Sequence, residues 1–306
     1  SLIIFSTYLF LSKLKNIDYS YSFKSTETFI LANNWFMMFF LATVLVGTIY
    51  PIFTEIISNT NISVGPPFYN AVIIPIIVPF LILMSFGPAS IFSKNKLIKI
   101  YKVLFILTLS TIINIAIFYL FKSYSLITNL IIISSLFLIF YTISDFVNSL
   151  RKKIKFDFPR IISHLGFGFL IFFIGINHNF SIEKDFNLKV GQSKVVENFK
   201  IDFENLRINE TQNYKSLIGD FKITKIDKNQ IKFLKPEIRI YSNPETITYE
   251  ASIKSNILED YYLTMSNVNR SNFYNLKFQN KPFMFLIWLS AFLISAGGFL
   301  RLFSKR

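Results

Sequence analysis

Cysteine is absent from this chain, and histidine occurs only twice. Without cysteine there is no disulfide, no CxxC redox pair and no thiolate metal site. A domain outside the cytoplasm must then be held by its core alone. Acidic residues are also scarce, 18 against 32 basic ones, for a formal net charge of +14. Nucleotide-binding glycine loops, HExxH, the GxSxG elbow and the Walker motif are all missing. No internal repeat is visible. A basic excess can signal nucleic acid when it gathers on one folded face. Here most of it sits in short connections between apolar runs, where basic residues set membrane topology. Nucleic acid is therefore not an expected partner. The abundance of Ile, Lys, Asn and Phe reads as an AT-rich coding bias that accounts for part of the basicity.

What is present is apolar bulk: 52% hydrophobic residues, 18% aromatic, and a mean hydropathy of +0.45. A soluble domain disperses such residues at periods of 2 or 3.6. In this chain they collect into runs of about twenty, the length a helix needs to cross a hydrocarbon core of roughly 30 Å. The runs are Phe29–Ile57, Ala71–Phe92, Val103–Phe121, Leu126–Val147, Ile161–Ile176 and Phe283–Phe303. Leu2–Leu11 resembles the tail of a further, truncated span, and a first residue of Ser1 suggests a fragment or a processed chain. The expected fold is a polytopic α-helical membrane protein with six complete spans plus a truncated one and an inserted small all-β extracytoplasmic domain.

The connections orient it. Lys13, Lys15, Lys24, Lys94, Lys96, Lys99, Lys102, Arg151, Lys152, Lys153, Lys155, Arg160, Arg301, Lys305 and Arg306 all fall on one side, whereas the opposite short loops carry only Lys122. That alternation places the basic side in the cytoplasm and the long segment Ser181–Lys281 outside. This segment is nearly charge-balanced, with 16 basic and 13 acidic residues. Stretches such as Lys200–Phe203, Phe221–Thr224 and Ile231–Leu234 alternate with the period of half-buried strands. Breaks at Gly191–Ser193, Asn209–Asn213 and Asp227–Gln230 separate them. A small β-sandwich or barrel tethered at both ends by helices is expected. The expected division is a helix bundle over 1–180, the β-rich domain over 181–281, and a closing helix and tail over 282–306.

Few residues can carry chemistry. His164 lies inside a span, in Ser163-His164-Leu165-Gly166-Phe167-Gly168. An imidazole in a bilayer is costly unless it finds a partner in the bundle interior. Three roles stay open at this point: a hydrogen bond to a neighbouring helix, ligation of a metal or haem, and a proton relay. Gly166 and Gly168 allow close approach of either a helix or a flat ligand. Arg160, four residues earlier on the same face, can pair with an anionic ligand group or act as a topology anchor. His178 falls at the outer boundary and is expected to be solvated. Ile62–Asn70, with Pro66 and Pro67, reads as a stiff outer turn. Glu55 reaches the interface, and Asn33-Asn34-Trp35 marks the inner entrance of the first complete span.

The loop Ser63-Val64-Gly65-Pro66-Pro67-Phe68-Tyr69-Asn70, preceded by Gly47-Thr48-Ile49-Tyr50-Pro51 and Asn33-Asn34, resembles the CcmF family of cytochrome c-type biogenesis proteins. Ser163-His164-Leu165-Gly166, Pro236-Glu237-Ile238-Arg239-Ile240-Tyr241 and Trp288 with Gly297-Gly298 fall where that family would place them. The resemblance implies a haem lyase subunit that attaches haem to the CxxCH cysteines of apocytochrome c on the outer face of the membrane. It implies partners as well: a haem chaperone, apocytochrome c and small accessory maturation subunits. It further implies a b-type haem in the membrane with His164 as one ligand, Arg160 as a candidate contact, and the second ligand outside this chain. That haem would keep the iron being attached ferrous while the thioethers form. The setting implied is the bacterial inner membrane with the soluble domain in the periplasm, or the mitochondrial inner membrane.

The family's tryptophan-rich segment, its two outer histidines and its other membrane ligand have no counterpart here. By this reading they belong to a missing N-terminal half, itself an expected partner, and the chain alone is an incomplete enzyme. No catalytic residue is assigned. Three alternatives remain: a specialised lyase for a nitrite-reductase cytochrome, a transporter with His164 as proton relay, and a non-enzymatic scaffold displaying a β-domain. The transporter reading lacks the paired broken helices such proteins often show.

Overall fold

A computed structural model describes residues 26–58, 62–85, 96–121, 125–153, 157–267 and 272–303. The Leu2–Leu11 run and Lys13, Lys15, Lys24, Lys94, Lys122, Lys155, Lys305 and Arg306 lie outside the described residues. Six helices follow the apolar runs: α1 (Thr26–Ser58), α2 (Pro66–Ser85), α3 (Lys96–Phe121), α4 (Leu126–Arg151), α5 (Phe158–Phe180) and α6 (Met284–Phe303). All six are long and apolar enough to cross a membrane. In hydrocarbon only a helix or closed barrel satisfies every backbone group internally, so runs of this length fold as helices whatever their side-chain propensities. The chain is a multi-pass membrane protein. Its packing divides into two units, Ser1–Phe105 and Ile106–Arg306.

In the first unit Phe80 of α2 packs against Phe36 and Phe40 of α1, with ring centroids 5.5 and 5.4 Å apart. Gly47 leaves room for Tyr69, because a Cβ there would lie 2.5 Å from the tyrosine Oη. Two pieces of the quoted resemblance thus pack on each other. The expected stiff turn is shorter than its sequence suggests. Pro66 and Pro67 open α2, where a fixed φ and a missing N–H cost nothing, and Phe68 N donates to Gly65 O at 3.1 Å.

In the second unit α4 is the most enclosed helix, with Ile132, Leu136, Leu138 and Ile139 buried. Its hydroxyls turn back onto their own helix: Ser134, Ser135 and Thr142 donate to Ile131 O, Ile132 O and Leu138 O at 2.7–3.0 Å. Asn114 of α3 donates to Asn129 of α4 at 3.0 Å.

Between α5 and α6 the described residues form ten strands: β1 Ile182–Leu188, β2 Ser193–Val196, β3 Phe199–Glu210, β4 Tyr214–Lys225, β5 Gln230–Leu234, β6 Glu237–Ser242, β7 Glu245–Glu250, β8 Ser252–Ser255, β9 Glu259–Asn267 and β10 Tyr274–Pro282. They make two sheets, in the orders β1-β10-β9-β8 and β2-β3-β4-β6-β7, with β5 also paired to β4. Two sheets sharing one core decide for a sandwich over a barrel. The core alternates along each strand as the period-2 pattern requires: Phe199, Ile201 and Phe203 in β3, Phe221 and Ile223 in β4, Tyr261, Leu263 and Met265 in β9, Leu276 and Phe278 in β10. Each such side chain, fully buried, stabilises the fold by about 1.5–3 kcal/mol, which is how a domain without disulfides holds together.

Gly219 permits the stacking of Phe203 on Phe221, 4.2 Å apart, since a Cβ would sit 2.5 Å from Phe221 Cε2. The break expected at Asn209–Asn213 is tighter than the sequence suggests. β3 runs on to Glu210, and Thr211 N closes the turn on Tyr214 O at 2.9 Å.

One polar cluster bridges the sheets. Lys225 Nζ of β4 meets Glu259 Oε2 of β9 at 2.7 Å, Tyr261 Oη donates to Glu259 Oε1 at 2.7 Å, and Asn280 Nδ2 reaches Glu259 Oε2 at 3.4 Å.

Candidate functional site

The start of α5 is locally determined. Asp157 is the N-cap, its carboxylate accepting from Arg160 N at 3.4 Å, and Pro159 occupies the first turn where its ring is tolerated. The same carboxylate meets Arg301 Nη1 of α6 at 2.8 Å. Arg160 Nη2 meets Asp145 Oδ2 of α4 at 3.2 Å, with both side chains about one quarter exposed. Two ion pairs therefore tie α4, α5 and α6 at one end. At the other end Asn177 Nδ2 donates to Pro282 O at 2.5 Å, and the rings of Phe173 and Phe283 lie 6.0 Å apart.

Between these ties the helices touch backbone to backbone. A Cβ on Gly166 would lie 2.9 Å from Ile294 N, and one on Gly297 would overlap Ser163 and lie 2.8 Å from Pro159 O. Gly168 and Gly175 receive Ile139 and Ile132 of α4 in the same way. The sequence left open whether the glycines beside His164 admit a helix or a flat ligand; Gly166 and Gly168 each admit a neighbouring helix.

His164 sits one turn beyond Arg160 and next to Ser163, in the part of α5 that these contacts hold fixed. Its side chain is half-buried, and among the described residues no hydrogen bond joins its imidazole to another group. Arg160, His164, Ile171 and His178 follow one flank of α5 by helical spacing. His178 is exposed. Fourteen residues separate the histidines, about 21 Å along the axis, so they do not share a site. Among the described residues no group of three or more His, Cys, Asp or Glu could hold a metal ion. A single imidazole in an apolar span could serve as one protein ligand to a haem iron.

Sequence reasoning overlooked Asp145. Its signal was available: a single carboxylate near the end of an apolar run requires a cation, and Arg160 provides it. The guanidinium retains further N–H groups beyond the one directed at Asp145.

On the sandwich, a groove of about 370 Å³ lies between Asp185, Asn275 and Lys277 on one side and Tyr249 and Thr264 on the other.

Residues 179–282 match the family model described as the CcmF C-terminal β-sandwich. The chain is 26% identical to the cytochrome c-type biogenesis protein CcmF of Escherichia coli and 25% identical to that of Haemophilus influenzae, over 92% of its own length in both cases. These alignments cover 44% and 45% of the two relatives, so the chain spans less than half their length. A solved structure described as the cytochrome c haem lyase CcmF superposes with a TM-score of 0.67 at 18% identity, over 90% of this chain and 45% of that one. The fold is shared, and the sequence resembles the C-terminal part of CcmF.

Proposed function

We propose that this chain is the C-terminal part of a haem lyase, acting in the attachment of haem to the CxxCH cysteines of apocytochrome c. The observation that carries the reading is similarity to CcmF over nine-tenths of the chain, spans and sandwich together. The positive-inside arrangement supports a periplasmic sandwich, or its equivalent across a mitochondrial inner membrane. Apocytochrome c, a haem chaperone and small accessory subunits are the partners this reading requires. The groove at Asp185 and Lys277 offers a surface on which one of them can dock.

Within the membrane, His164 would be the residue of this chain that holds a b-type haem, with a second ligand expected from outside this chain. The residues fit such a group. The imidazole has no hydrogen bond among the described residues, and its helix is fixed by glycine contacts and by ion pairs at its start. A neutral imidazole coordinates iron without burying a charge. When bound, that haem supplies one-electron chemistry that keeps the iron being attached ferrous. Asp145 holds Arg160 in place, and the guanidinium N–H groups not directed at Asp145 would donate to a propionate brought alongside.

The test is an optical spectrum of the detergent-purified protein, co-expressed with an N-terminal half, with and without His164→Ala. A low-spin b-type spectrum that the substitution weakens or abolishes is expected. An unchanged spectrum in the variant removes His164 from the site. A complete absence of haem reopens the proton-relay transporter and scaffold readings.

A further inference from the structure

We propose that the tip of the β8–β9 hairpin, Ile257 and Leu258, is an interfacial anchor that inserts among the phospholipid headgroups where α6 enters the bilayer. The sandwich has a membrane-proximal end fixed by topology. β1 leaves directly from α5, β10 runs directly into α6, and the register pairs Glu259 at the start of β9 with Pro282 at the end of β10. The hairpin tip therefore points back toward the helices.

One hydrogen bond sets its depth. Phe283 N donates to Leu258 O at 2.8 Å, and α6 begins at the next residue. That helix has 20 residues, a length of about 30 Å at 1.5 Å per residue, which matches a hydrocarbon core of about 30 Å. Met284 thus falls at the hydrocarbon boundary. A carbonyl bonded to Phe283 N lies at headgroup depth.

The exposed side chains there are apolar. Ile257 is 60% exposed and Leu258 56%. Ile226 joins them at this end of the domain. It is 52% exposed and follows Lys225, whose ion pair with Glu259 places it beside the start of β9. Burying such side chains in the interfacial layer is favourable, whereas leaving three of them in water beside a membrane is not. The occupant is lipid because the tip is continuous with a membrane-entry residue. The tip lies at the same depth whichever side of the membrane the sandwich occupies, and independently of any haem at His164.

The absence of cysteine makes the experiment direct. Ile257→Cys and Leu258→Cys are spin-labelled one at a time, in the protein reconstituted into phosphatidylcholine–phosphatidylglycerol bilayers. Collisions with oxygen and with a water-soluble nickel chelate are compared. Ile208→Cys is the reference; Ile208 is 72% exposed and lies two residues from the end of β3, at the opposite end of the domain. A several-fold higher oxygen-to-nickel ratio at 257 and 258 than at 208 is expected. Ratios equal to that at 208 put the tip in water and overturn the proposal. Low accessibility to both reagents also overturns it, because the tip is then covered by protein rather than lipid.

Discussion

Replacing Lys225 by methionine removes the cation from the cluster that joins the two sheets of the sandwich. Glu259 then keeps Tyr261 and Asn280 as donors, in a site where its side chain is only 16% exposed. A surface pair contributes at most about 1 kcal/mol. Breaking a fully buried pair by removing one partner costs about 3–5 kcal/mol. This pair lies between those limits, with 18% and 16% of its side chains exposed, so the expected loss is about 2 kcal/mol. Lys225→Met combined with Glu259→Leu should cost less than the sum of the single changes, by about 1 kcal/mol. Hydrogen exchange of the β4, β9 and β10 amides in reconstituted protein reads this locally, and 2 kcal/mol corresponds to about 30-fold faster exchange. Acid supplies a second readout. Burial pushes the Glu259 carboxyl up, but the hydrogen bonds from Lys225 and Tyr261 and the lysine charge outweigh it and hold the group below its usual 4.5. A folded value below the unfolded one gives stabilisation that is complete above the usual value and is lost as pH falls through the folded one. Protection of these strands should therefore decline on acidification below about pH 4.5, and Glu259→Gln should flatten that decline. Additive single changes, or an unaltered exchange rate in Lys225→Met, would refute the reasoning.

Two further changes probe close packing. Gly297→Leu drives a side chain into Ser163 and Pro159 O and should destabilise the helical unit by about 1–3 kcal/mol. It is read as a lowered midpoint of thermal unfolding in detergent, with Gly298→Leu, where nothing lies within 4 Å, close to neutral. Gly219→Ala places a methyl group 2.5 Å from Phe221 Cε2 and 3.0 Å from Met265 Sδ. It should unstack Phe203 from Phe221 at a cost of about 1–3 kcal/mol, seen as faster exchange confined to β3 and β4.

The helices were legible because their signal is length and composition, which no tertiary contact overrides in hydrocarbon. The strands were legible where core residues alternate, as in Lys200–Phe203. The number and order of the strands were not, because pairing such as β4 with β6 is non-local and leaves no mark on either segment. His164 stood out through its rarity in an apolar run. Its ties did not, since Asp145 and Arg160 are 15 residues apart, and Asp157 and Arg301 are 144 apart. The glycines beside His164 are ambiguous in one dimension, because a close-packed helix and a flat ligand ask for the same absence of side chain. In the fold Gly166 receives Ile294 and Gly168 receives Ile139.

Both stems of the sandwich are tied down: Asn177 of α5 donates to Pro282 O at the end of β10, and Phe283 N at the start of α6 donates to Leu258 O of the β8–β9 hairpin. A domain mounted on two stems has no swivel. β4, twelve residues long, spans up to about 36 Å from Lys225 to Tyr214 at 3.3 Å per residue. Glu259 lies at the end of the sandwich beside the helices and the Thr211–Tyr214 turn at the far end of β4, so a molecule gripped at one end would stand at a different distance from the helices than one gripped at the other.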